Sequence, residues 1–179
     1  MSPGAGFEKG DAVFLASAGL GRVVDFAGRA ADGKPAPLTA GAEPAFYVVE
    51  VEDTVALVPL GRAETLRRPV SADDARAMLE ALRATEPPPS PAEPLLERGK
   101  RVVHSGTPLE HSRFLRELCA LPVPVAESVA SGITFLSKLV LPEISSVLGL
   151  SREQLETELQ QRFPAARDAR DQAALLRFR

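Results

Sequence analysis

Two histidines, one cysteine and a run of arginines are the side chains of this 179-residue chain whose types could do chemistry beyond packing. His104 and His111 stand seven residues apart, about two turns on a continuous helix, but Gly106–Pro108 interrupts them. No acidic or thiol cluster surrounds them, so they read as surface or capping residues rather than an acid–base pair or metal ligands. Cys119 falls in an apolar stripe with Leu115 and Leu118. Free cysteine is among the most buried residue types, and nothing nearby in sequence lowers the pKa of this thiol, so it reads as core. A single cysteine excludes an intramolecular disulfide and any multi-thiolate metal site. Gly4, Gly6 and Gly10 do not fit a dinucleotide fingerprint, no Gly-Lys-Ser/Thr phosphate loop is present, and Gly19-Leu20-Gly21 reads as a tight turn. The acidic pairs Glu52-Asp53 and Asp73-Asp74 are accounted for by a hairpin turn and a helix cap. The expectation is a protein that is not an enzyme, with no catalytic, cofactor or metal set.

The cations Arg98, Lys100, Arg101, Arg113 and Arg116 form the other candidate site. Such a cluster can contact nucleic-acid phosphates, but Glu97, Glu110 and Glu117 interleave with it, and a solvated helix face explains it equally well. With no Trp and one Tyr the chain has few side chains to stack on or wedge between bases. A net charge of −3 argues against attachment to nucleic acid by bulk charge.

The elements that position these residues change character along the chain. Ala12–Leu15, Arg22–Phe26, Phe46–Val51 and Thr54–Leu60 read as short strands, with Gly28–Glu43 a long, mobile hairpin tip. Four strands within so few residues make a small bent sheet or SH3-like barrel. The last strand is uncharged, so it is either core on both faces or an open sheet edge. Beyond it, Ser71 caps an amphipathic helix that buries Ala75, Met78, Leu79 and Leu82. Glu86–Pro94 is a proline-rich linker. Leu95–His104 is a weak helical segment, and Thr107, Pro108 and Glu110 mark a helix start. A long apolar helix follows over Ala126–Leu148, with Val129, Ile133, Leu136, Val140, Ile144 and Val147 inward and Gly149 as its stop. Ser151 and Gln154 open another helix, ended by Pro164, and the tail 165–179 reads as helical or disordered. No apolar run approaches the roughly 18 residues of a membrane span, and no signal pattern opens the chain, so a cytoplasmic, bacterial-type protein is expected. The fold class is α+β: a β module over 1–70, then a helical module over 71–164.

Phe7-Glu8-Lys9-Gly10-Asp11-Ala12-Val13 resembles the opening F-x-x-G-D-x-V of the CarD/CdnL family of transcription regulators. The resemblance continues through Gly19–Val23, Phe46–Val49, Leu57–Leu60, Leu66–Ser71, Ser105-Gly106, Leu115–Leu118 and Pro142–Ile144. It implies a Tudor-like N-terminal module that pairs the edge strand Val55–Leu60 with the RNA polymerase β subunit, through Val55, Leu57, Pro59 and, on the neighbouring strand, Val49. It further implies a helical module on promoter DNA, which in the family uses a Trp wedge and basic residues. Here the corresponding segments, Ala92–Glu97 and Glu127–Ile133, hold neither, so DNA contact is expected to be weakened or lost. The alternative expectation is an adaptor whose helical module binds a second protein through Ile133–Leu148 or the tail.

Overall fold

The computed structural model describes residues 6–15, 18–85 and 94–176. The segment 86–93, with most of the proline-rich linker, lies outside the described residues, as do Ser17 and the last residues of the tail. The chain is α+β and divides into two compact units, Met1–Pro69 and Val70–Arg179.

The first unit is a curled antiparallel half-barrel. Its strands are β1 (Ala12–Leu15), β2 (Gly19–Arg29), β3 (Pro35–Pro37), β4 (Phe46–Val51), β5 (Thr54–Pro59) and β6 (Leu66–Arg67), in the order β5-β4-β2-β1-β6, with β3 paired to β2. Two strands go beyond the sequence expectation, because β3 and β6 are too short to carry a period. Within the expected hairpin tip the chain folds back on β2, pairing Ala27 with Pro37 and Arg29 with Pro35. Gly19 closes the β1–β2 turn at φ 99°, as expected of a turn glycine, whereas Leu20 and Gly21 already lie within β2. A Cβ at Gly21 would lie 2.6 Å from the Glu50 carbonyl oxygen and 2.7 Å from Val51 Cγ2, so close sheet packing demands glycine there. A register shift between Val23 and Asp25 bends β2, as a bulge does. The concave face closes over Phe7, Val13, Leu15, Val23, Tyr47, Val49, Val51, Val58 and Leu66. Among the described residues the end strands β5 and β6 do not pair with each other, so the sheet stops short of a closed barrel.

The second unit holds six helices: α1 (Ala72–Arg83), α2 (Leu95–Ser105), α3 (Pro108–Cys119), α4 (Glu127–Leu148), α5 (Arg152–Arg162) and α6 (Pro164–Leu176). Their starts follow the expected chemistry. Ser71 accepts from the Asp74 amide, Ser151 from the Gln154 amide, and Thr107 with Glu110 forms a complete capping box. Gly149 ends α4 at φ 66°, the left-handed conformation that glycine adopts without Cβ strain. Pro164 ends α5 and also opens α6, where proline's missing amide costs nothing in a first turn. The tail is therefore helical to Leu176, and Ala165, Ala166 and Ala169 are buried within the unit.

Helix α4 is the one described helix long and apolar enough, by length and composition, to cross a membrane. In this unit it is the central core helix, burying Ile133, Leu136, Leu139, Val140, Leu141 and Ile144. It also buries Glu143, 1% exposed, whose carboxylate accepts from the Val70 amide at 3.0 Å. That charge is legible in the sequence only as a break in an apolar run. Outside the core, Arg83 of α1 binds Glu158 of α5 through two nitrogens, at 2.8 and 2.7 Å. The hydrogen bond from Arg83 holds the Glu158 carboxyl below its ordinary range.

Candidate functional site

Strand β5 forms one edge of the sheet, paired only to β4 among the described residues. The hairpin arises locally: Glu52 takes φ 51° in the two-residue turn, and the Thr54 hydroxyl donates to the Val51 carbonyl at 2.9 Å. The register is thereby fixed, with Val51 opposite Thr54, Val49 opposite Ala56, Tyr47 opposite Val58 and Phe46 opposite Pro59.

This register sets both the side chains and the backbone of β5. Val58 is 5% exposed and Ala56 packs on the core. Val55 and Leu57, on the other face, are 62% and 45% exposed. A two-residue turn makes its flanking residues, Val51 and Thr54, a hydrogen-bonded pair, and at the far end the Leu60 amide donates to the Ala45 carbonyl at 2.9 Å, in phase with it. Antiparallel pairs alternate between hydrogen-bonded and non-bonded, so Val58, Ala56 and Thr54 turn their backbone groups to β4. Val55 and Leu57 therefore turn both N–H and C=O toward the open edge, and Pro59 turns its C=O alone. The same residues thus present apolar side chains and backbone bonding groups that no neighbouring strand takes up among the described residues.

The two ends of the sheet are unequal. An edge is normally protected by shortness, charge or proline. The β6 end has two residues, one of them Arg67, whose guanidinium lies 4.0 Å from the centre of the Phe14 ring. β5 has six residues and no charge, and its only protective feature is Pro59 at the end. Acids flank it instead: Glu50 opposite Val55, and, beyond β4, Asp25 opposite Val48, held by Lys9 at 3.6 Å.

Of the expected contact residues, the structure brings Val55, Leu57 and Pro59 together on one face. Val49 is corrected: it is 0% exposed and faces the core on the opposite side of the sheet, because it lies opposite Ala56. The β4 residue beside Leu57 on the outer face is Val48, half-buried. Counting pairs outward from the two-residue turn would have identified it.

The basic cluster does not assemble into an open patch. Arg98 and Glu117 form an ion pair with side chains only 12% and 17% exposed, and Arg98 lies over the Phe114 ring at 5.3 Å. Lys100 pairs with Glu97 at 2.9 Å, Arg101 with Glu110 at 4.0 Å, and Arg116 donates to the Ala84 carbonyl at 2.9 Å. Arg113 is exposed and makes no ion pair among the described residues.

The remaining chemical candidates are also placed. His104 Nδ1 donates to the Lys100 carbonyl at 2.8 Å on an exposed turn. His111, expected at the surface or in a capping role, is buried, with Nε2 donating at 2.8 Å to the Val102 carbonyl in the last turn of α2 and so joining α3 to α2. Burial pushes the Cys119 thiol up to about 12, so it stays protonated at neutral pH. Among the described residues no group of three His, Cys, Asp or Glu side chains is placed to hold a metal ion. The apolar stretch expected to recruit a second protein is largely internal, since Ile133, Leu136, Val140 and Ile144 are core.

Fold and site together define a protein whose β unit has an uncharged sheet edge, open among the described residues, and whose second unit is helical. Compared with protein-family models and with curated proteins, the chain matches none.

Proposed function

We propose that this chain is a CarD/CdnL-like transcription regulator. Its β unit, Tudor-like in this reading, takes a strand of the RNA polymerase β subunit onto β5. The observation that carries the proposal is the coincidence of exposed side chains and outward backbone groups at Val55 and Leu57. Strand addition uses both: main-chain hydrogen bonds give affinity, and alternate side chains give selectivity. The motifs Phe7–Val13 and Leu57–Leu60 support the choice of partner. Such a protein modulates initiation in the cytoplasm by binding polymerase and does not itself catalyse a reaction. Promoter contact is weak or lost, because most of the candidate phosphate ligands are held by carboxylates or carbonyls of the same unit.

Leu57→Glu tests this reading. Co-purification of the polymerase β subunit should fall to background while the variant stays folded. Undiminished recovery overturns the interface.

A further inference from the structure

The helical unit carries a second candidate site, independent of β5. A groove of about 430 Å³ opens between α4, α5 and α6, within the size range of small-molecule sites. Its walls include Leu159 and Ala169, which are otherwise core. Its rim takes one cation from each of the three helices: Lys138, Arg152 and Arg170. A single carboxylate, Glu156, also lines it, held by Arg152 Nε at 2.8 Å. Arg170 is oriented by Gln160 at 2.8 Å and by Asp171. Lys138 is exposed and has no ion-pair partner among the described residues.

We propose that this groove binds a small amphipathic organic anion, with one carboxylate or sulfonate on an apolar body. The charge balance chooses the ligand class. Arg152 is paired with Glu156 and Arg170 with Asp171, so the net positive charge at this mouth over an apolar floor is that of Lys138. An apolar body fills the space between α4 and α6 while its acid group meets Lys138. A cation would be repelled by Lys138, unpaired among the described residues, and a neutral ligand would gain nothing from it, whereas an acid group gains a charge-assisted hydrogen bond.

The test titrates the full chain with octanoate and with octanol, following backbone amides by NMR. Octanoate should shift Thr134, Lys138 and Ala173 together and bind at least threefold more tightly than octanol. The preference should shrink at high salt. Lys138→Glu, an exposed substitution that leaves the core intact, should weaken octanoate about three- to tenfold and leave octanol unchanged. Ala173→Phe, which fills the groove, should weaken both. Equal binding of the two probes, shifts scattered outside the groove, or indifference to Lys138→Glu overturns the proposal.

Discussion

Replacing Leu57 and Val58 singly by alanine tests whether β5 has the two faces described. Val58 is 5% exposed and packs in the β core, whereas its neighbour is 45% exposed. Val58→Ala removes two buried carbons, at about 0.8 kcal/mol each, and leaves a cavity, so it should cost about 2–3 kcal/mol. Leu57→Ala removes three carbons, but from a side chain already half in water and without opening a cavity, so its cost should be about 1 kcal/mol or less. The chain supplies its own probe. Tyr47 is the only tyrosine, there is no tryptophan, and Tyr47 packs on Phe7 and Phe26 with ring centroids 5.8 and 5.7 Å away. Its fluorescence therefore follows the β unit alone during urea unfolding, and the slope against urea should be unchanged in both variants. If Leu57→Ala costs as much as Val58→Ala, the register is wrong and the edge has no exposed apolar face.

Further expectations concern the helical unit. Glu117→Ala strands the Arg98 guanidinium in a largely buried position and should cost about 3 kcal/mol, read by far-ultraviolet circular dichroism during unfolding. Cys119 should resist thiol reagents in the native protein and react only once denaturant exposes it. Thr107→Ala removes the hydroxyl from a capping box and should cost about 1 kcal/mol. That box also makes stability depend on pH. Hydrogen bonds from the Thr107 backbone and side chain hold the Glu110 carboxyl below its ordinary range. A lowered folded-state pKa means the contribution is present above the unfolded value, about 4.3, and is lost as pH falls through the folded value. Glu110→Gln should be less stable than the parent chain near neutral pH, and the two thermal midpoints should converge as pH falls through the lowered folded value of Glu110.

The legible parts of this chain were those with local causes. Ser71, Thr107 and Gly149 set helix boundaries through their own side chains or conformational freedom, and the structure places the boundaries there. The β4–β5 hairpin was legible from its alternation and its acidic turn. Features decided by distant partners were not. Gly21 reads as a turn residue until β4 is laid against it, and β3 has no pattern of its own apart from pairing with β2. His111 and Glu143 look like surface groups in sequence, but their acceptor and donor, the Val102 carbonyl and the Val70 amide, lie on other segments. The same applies to Arg98, whose placement depends on Glu117 and Phe114 one helix away. Val49 departs from expectation for a simpler reason: one step along a strand changes the face.

Residue-resolved amide hydrogen exchange, with and without the RNA polymerase β subunit, addresses the central claim most directly. In the free protein the Val55 and Leu57 amides face an open edge and should exchange fast, while Ala56 and Val58, bonded to β4, should exchange slowly. On binding, Val55 and Leu57 should become strongly protected, with little change at Ala56 and Val58. Binding that leaves Val55 and Leu57 exchanging as before would contradict strand addition at β5.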